Sequence, residues 1–183
     1  MSTVINAIME RYSCRDFTGE ALSHEDAAIL ADAALAAPSA MNQQPWHIIV
    51  VTDKTLIDEM DKDAMTQIAQ QNPDWHARIQ ERGGKVFYNA PCLVVIAKND
   101  SAMATLDCGI VSQNITLAAH GLGLGSVICA MARMLLDGAN SDTWRRRLQI
   151  PDGYNFGMAV CVGKVASGKP PHELDRGKVT FIN

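Results

Sequence analysis

Apolar positions recur along this chain in two periods, and the switches between them predict its elements. Val4, Ile5, Ile8 and Met9 fall at helical spacing and predict a short helix ahead of Arg11. Ser23 is a strong N-cap with Asp26 three residues on, which predicts a helix running to about Ala37 and stopped by Pro38. Trp46 to Thr52 is β-branched and reads as a strand. Polar residues dominate from Asp53 to about Arg82. That stretch predicts a mostly helical surface excursion, broken near Asn72-Pro73 and ended by Gly83-Gly84. "CLVVIA" from Cys92 to Ala97 is apolar at every position, the pattern of a strand buried on both faces.

Ala104 to His120 reads as the central buried helix, interrupted only by Gln113, Asn114 and Thr116 among its later turns. "GLGLGSVICAM" then predicts a turn into a short strand. Two small helices are expected around Ala132 to Asp137 and Ser141 to Leu148, and a last core strand from Phe156 to Val165. The remainder, "ASGKPPHELDRGKVTFIN", is an extended tail whose Val179, Phe181 and Ile182 need somewhere to dock. Helices and strands mix without regular βαβ alternation, so the fold class is α+β in a single domain over 1–183.

Composition narrows the classes. The chain has 183 residues, 48% apolar and 20% charged, with a net charge of −4. A sizeable core is expected, and nucleic acid is not the expected partner. No apolar run approaches the ~18 residues that would cross a bilayer, and the first residues show no basic segment followed by an apolar one. Cys14, Cys92, Cys108, Cys129 and Cys161 are odd in number, form no C-x-x-C, and read as reduced core thiols of a cytoplasmic protein.

Candidate chemistry is sparse. "GLGLGS" is not a dinucleotide fingerprint, because Ser126 stands where a third Gly or Ala is needed and the segment follows a helix. No P-loop, histidine metal pair, Ser-His-Asp set or paired carboxylates stand out. "RYSCRDF" is more informative. In an extended segment Arg11, Ser13 and Arg15 point one way, and two guanidiniums with a hydroxyl make a phosphate cradle. The same residues could also form a solvated basic loop. Arg176 and Lys178 in the tail form a second alternating pair. "APSAMNQQPW" joins a helix to a strand with two prolines and four polar side chains, more than a connector requires.

Taken together, "RYSCRDF", "AALAAPSAMNQQPWHIIVV", "YNAPCLVVIA", "AAHGLGLGSV" and "RGKVTFI", in that order across nearly the whole chain, resemble the nitroreductase family of FMN-dependent NAD(P)H oxidoreductases. The resemblance implies a sandwich with a mainly antiparallel sheet flanked by helices, built as an interlocked homodimer. FMN would lie in the dimer interface, and the tail from about 166 to 183 would extend onto the partner. It implies Arg11, Ser13 and Arg15 as ribityl-phosphate ligands, completed by Arg176 and Lys178. Pro38, Ser39, Ala40 and Asn42 would line the flavin ring. The backbone at Ile128, Cys129 and Ala130 would face the reactive flavin nitrogen, although many relatives carry Glu-Gly or Gly where this chain reads "ICAM". The implied reaction is ping-pong transfer from NAD(P)H through FMN to a nitroaromatic or quinone acceptor, with no catalytic side chain and no metal. Flavin fragmentation, reductive dehalogenation and a non-catalytic flavin-binding or redox-sensing dimer are the alternatives on the same scaffold.

Overall fold

Capping side chains set most of the helix starts. In the computed structural model, which describes residues 3–182, helix α1 spans Thr3–Glu10. The Ser23 hydroxyl accepts the Asp26 N–H at 3.0 Å and opens α2 (His24–Leu35). A 3-10 turn at Ala40–Asn42 leads into β1 (Trp46–Val51). Asp53 accepts from Thr55 and Leu56 and starts α3 (Lys54–Gln71). Asn72 ends that helix and caps α4 (Pro73–Glu81), where Pro73 takes the first position, whose N–H has no helical partner to lose. Then follow β2 (Cys92–Lys98), α5 (Ala104–Gly121), β3 (Gly125–Ile128), α6 (Arg133–Leu136), α7 (Ser141–Arg147) and β4 (Asn155–Gly163).

The sheet order is β1-β2-β4-β3, and every pairing is antiparallel. The two central strands are therefore the most apolar. Their side chains alternate between two cores. Cys92, Val94, Ile96, Val160 and Val162 pack under α2 and α5. Leu93, Val95, Ala159 and Cys161 face Ile57, Met60, Ile68, Ile79 and Leu135 on the other side. The α+β expectation holds.

One expectation is corrected. The stretch from Asp53 to Arg82 is no surface excursion. Ile57, Met60, Ala64 and Ile68 of α3, with Ile79 of α4, are fully buried and form much of the second core. Its helical breaks fall as expected, but its apolar stripe is narrow, so the average polarity hides it. In the single chain residues 166–182 are exposed, with a 3-10 turn at Arg176–Lys178.

The glycine turn is structural. The Leu124 N–H bonds back to Ala119 at 2.8 Å, and Gly123 takes φ +72°, closing α5. Gly125 then lets the chain pass so close to Cys14 that a Cβ would lie 2.9 Å from its Sγ. That contact fixes the loop described next.

Candidate functional site

Residues 12–18 run extended beside the sheet. Ser13 bridges Ser126, the Cys14 N–H donates to the Ser126 carbonyl at 2.9 Å, and Phe17 bridges Val165. Cys14 and Phe17 are buried, so they anchor the segment and leave its polar residues outside. Tyr12, Ser13, Arg15 and Asp16 line a cavity of about 290 Å³ with Ser167, Gly168 and Lys169. Asp16 within it accepts from the Ser167 hydroxyl at 2.5 Å. Arg11 instead lines a separate cavity of about 190 Å³ with His120, Gly123, Gly125 and Ser126. Its Nε is buried and has no hydrogen-bond partner among the described residues. The predicted trio is thus split, with Ser13 and Arg15 together and Arg11 around the corner. A cavity with a hydroxyl and two cations, and a second one with a guanidinium nitrogen lacking a described acceptor, each fit an oxyanion such as a phosphate.

The Pro38 to Gln44 loop is held in an unusual shape. Met41, Asn42 and Gln44 have φ of 52°, 54° and 46°, the left-handed region, at a cost of about 1–3 kcal/mol each. Three bonds impose it. The Ser39 hydroxyl accepts the Gln44 N–H at 2.9 Å, the Gln44 amide donates to Asn42 Oδ1 at 3.0 Å, and Asp107 Oδ1 accepts the Ala40 N–H at 3.4 Å. Asp107, in the first turn of α5, is only 2% exposed, and its second oxygen has no partner. Gln44 therefore braces its own loop, and the Asn42 carbonyl oxygen is engaged by it.

Within one chain the two loops do not meet. Asp107 touches the Ala40 loop, while His120 lines the Arg11 cavity. These two residues lie thirteen positions apart on α5, roughly 20 Å along its axis.

Ile128 closes β3 opposite Val160 and is partly exposed. The Cys129 N–H donates to the Ala159 carbonyl at 2.8 Å, and its thiol turns into the core. Ala130 is exposed and opens a 3-10 turn, Ala130–Ala132. Met131 Sδ accepts from Arg82 Nη2 at 3.9 Å, and the Arg82 guanidinium sits 5.4 Å from the Tyr88 ring centre. Burial raises the Tyr88 phenol above its usual pKa, although the neighbouring Arg82 and Arg15 pull it down. Burial also pushes Cys92 up to about 12 and Cys108 up to about 11, so these are inert core thiols. All five cysteines are buried and free.

In the tail, Asp175 accepts the Gly177 N–H at 3.1 Å and pairs with Lys178 at 3.6 Å. Arg176 and Lys178 are both exposed and make their contacts within that turn, away from the Arg15 cavity of the same chain. Among the described residues no helix is long and apolar enough to cross a membrane, and no group of His, Cys, Asp or Glu is placed to hold a metal.

A model of the nitroreductase family matches residues 8–164. The chain belongs to the nitroreductase family. A nitroreductase with bound FMN from Desulfitobacterium hafniense DCB-2 is 39% identical, with a TM-score of 0.95 and complete coverage of both chains. An FMN-dependent nitroreductase from Clostridium difficile R20291 is 31% identical, with a TM-score of 0.84 and 99% of each chain covered. A curated protein of Methanothermobacter thermautotrophicus, provisionally named NADH dehydrogenase/NAD(P)H nitroreductase, is 32% identical over 130 residues. That match takes in 68% of this chain and spans 59% of the length of the archaeal protein.

In this nitroreductase-family chain, sequence reasoning missed four residues at the site. Lys169 joins Arg15 through the turn after β4, and only its charge in "SGKPP" hinted at it. Asp107 gave a weak signal as a lone acid on an apolar helix. Arg82 gave none and Tyr88 only its place at the head of "YNAPCLVVIA", since Arg82 meets Tyr88 and Met131 only through the fold.

Proposed function

We propose that this chain is an FMN-dependent NAD(P)H oxidoreductase, working as a homodimer on nitroaromatic or quinone-type acceptors. The observation that carries the reading is the cavity of Ser13, Arg15 and Lys169, joined through Tyr12 to a second cavity where the buried Arg11 Nε has no partner among the described residues. The full-length likeness to an FMN-containing nitroreductase supports it. FMN, when bound, supplies the two-electron relay between NAD(P)H and the acceptor, which no side chain here could provide.

The chain's residues bind and orient. Arg11, Ser13, Arg15 and Lys169 hold the phosphate end through charge-assisted bonds. Pro38, Ser39, Ala40 and Asn42 wall the ring, with the strained loop presenting backbone and small side chains at close range. Of the segment Ile128 to Ala130, the Cys129 N–H is already spent on Ala159, which leaves the N–H groups of the exposed Ile128 and Ala130 as the donors for the redox centre.

Two features favour the dimer. The phosphate loop and the ring-wall loop sit at opposite ends of α5, so a second copy is needed to bring one of each together. The tail is exposed over residues 166–182, while β1 is an edge strand lining a groove of about 450 Å³. A partner's tail fits that edge and would carry Arg176 and Lys178 to the neighbouring phosphate. The five free, buried cysteines fit a reducing, cytoplasmic setting.

The test is a visible spectrum. The purified protein should be yellow, and NADH or NADPH should bleach it without oxygen. A colourless protein that fails to take up FMN refutes the reading. Bound flavin that neither nicotinamide reduces points to a non-catalytic role. Consumption of the flavin itself by oxygen, or halide release, points to other chemistry.

A further inference from the structure

Arg82 has no part in the phosphate cavity or the ring-wall loop, and its surroundings are unusual for a surface arginine. It is exposed, yet its guanidinium is pinned by two neutral groups, the Tyr88 ring at 5.4 Å and Met131 Sδ at 3.9 Å. Among the described residues no carboxylate lies within ion-pair distance of it. Neither does any lie that close to Arg15, whose charge, like that of Arg82, acts on the Tyr88 phenol. One buried tyrosine, 9% exposed and itself left-handed at φ 57°, thus sets the position of the Arg82 guanidinium.

An arginine usually loses about 2 kcal/mol of rotamer freedom when it clamps a ligand. Stacking on a rigid ring removes part of that cost in advance and leaves most of the five donors free. Because burial keeps the phenol protonated, Tyr88 does not neutralise either charge. The geometry therefore describes a receptor for an oxyanion with its charge left unbalanced. The side chain also faces the Ala130–Ala132 turn, where substrates would approach the redox centre.

We infer that Arg82, positioned by Tyr88, binds an anionic group, carboxylate or phosphate, on the molecule that gives or takes electrons at this site. The inference rests on the FMN reading for its place in the reaction, but not for the binding itself.

Calorimetry of the purified protein with benzoate, inorganic phosphate and, as a neutral control, benzyl alcohol tests the binding without turnover. Arg82→Gln should weaken benzoate or phosphate binding about tenfold or more, the loss of a charge-assisted bond, with benzyl alcohol unaffected. Tyr88→Phe keeps the ring and should hold affinity within about twofold. Tyr88→Leu removes the ring and should behave like Arg82→Gln. Turnover then finds the source of the anion. A selective fall in the NADPH-to-NADH ratio of kcat/KM in Arg82→Gln places it on the donor, as the extra phosphate. A selective fall in the 4-nitrobenzoate-to-nitrobenzene ratio places it on the acceptor. Equal anion affinity in parent and Arg82→Gln overturns the inference, as does an equal fall for all ligands. A parent protein that binds benzoate through Arg82 but holds no flavin keeps the anion site and refutes the FMN reading alone.

Discussion

Arg11 carries a buried guanidinium nitrogen, Nε, that is bonded to nothing among the described residues. Such a group is costly to leave unpaired, so its presence implies an acceptor that arrives with the ligand. Arg11→Ala should weaken FMN binding by about 1.5–3 kcal/mol, read by fluorescence titration of the apoprotein. An unchanged affinity would move the phosphate elsewhere. Asp107 poses the complementary case: one oxygen holds the Ala40 N–H while the other is orphaned in the core. Asp107→Ala should release the strained loop. Amide exchange of residues 39–44 should accelerate by about tenfold, the equivalent of one lost bond of ~1.4 kcal/mol. Unaltered exchange would mean that the Ser39 and Gln44 bonds hold the loop unaided.

At the scale of elements, α3 shows where polarity misleads. Its buried positions, Ile57, Met60, Ala64 and Ile68, follow helical spacing, but Lys, Asp, Gln and Thr fill the gaps and make the segment read as surface. Ile68→Ala should cost about 2–5 kcal/mol in urea unfolding, the range for a fully buried aliphatic side chain. The same helix buries Asp61, whose Oδ1 accepts from Val86 and Phe87 at 2.6 and 3.0 Å. Burial raises its pKa above 3.8, against the pull of those two N–H groups. A raised folded pKa means that the native state holds the proton more tightly. The stability Asp61 contributes is therefore present at low pH and is lost as pH rises through the folded value. The difference in unfolding free energy, parent minus Asp61→Asn, should decline from pH 4 to pH 7. A flat or rising difference would show that the two backbone bonds outweigh burial.

These elements also mark what could be read in advance. Ser23, Asn72-Pro73 and the all-apolar "CLVVIA" act locally, so their helix starts, break and buried strand were legible. The Arg11, Ser13 and Arg15 segment was recognisable as basic and extended. Its division into two cavities was not, because Gly125 and Cys14, over a hundred residues apart, set the turn of that loop. Arg82, Tyr88 and Lys169 became site residues only through contacts of the same long-range kind.

At the scale of the whole molecule, two surfaces call for each other. β1 ends the sheet with an open edge, and the groove along it is lined by His47 to Asp53 with Leu56 and Leu148. The tail leaves Leu174, Val179, Phe181 and Ile182 outside any core, with Phe181 at 84% and Ile182 at 95% exposure. An unpaired strand edge and an apolar arm are each aggregation hazards in a lone chain, and strand addition between two copies removes both. A second copy would also bring the Ala40 loop of one chain toward the Arg11 loop of the other, which α5 keeps apart within a chain. Truncation after Lys169 removes the arm but leaves the lining of the Arg15 cavity and the described core in place. The shortened protein should keep its helical circular dichroism, shift toward a monomer in light scattering, and lose FMN affinity beyond the loss from Arg176→Ala and Lys178→Ala combined. The excess measures the role of strand addition in building the site, separate from the two charges. A truncated protein that remains a dimer with parental FMN affinity would show that α1 and α5 hold the copies together without the arm.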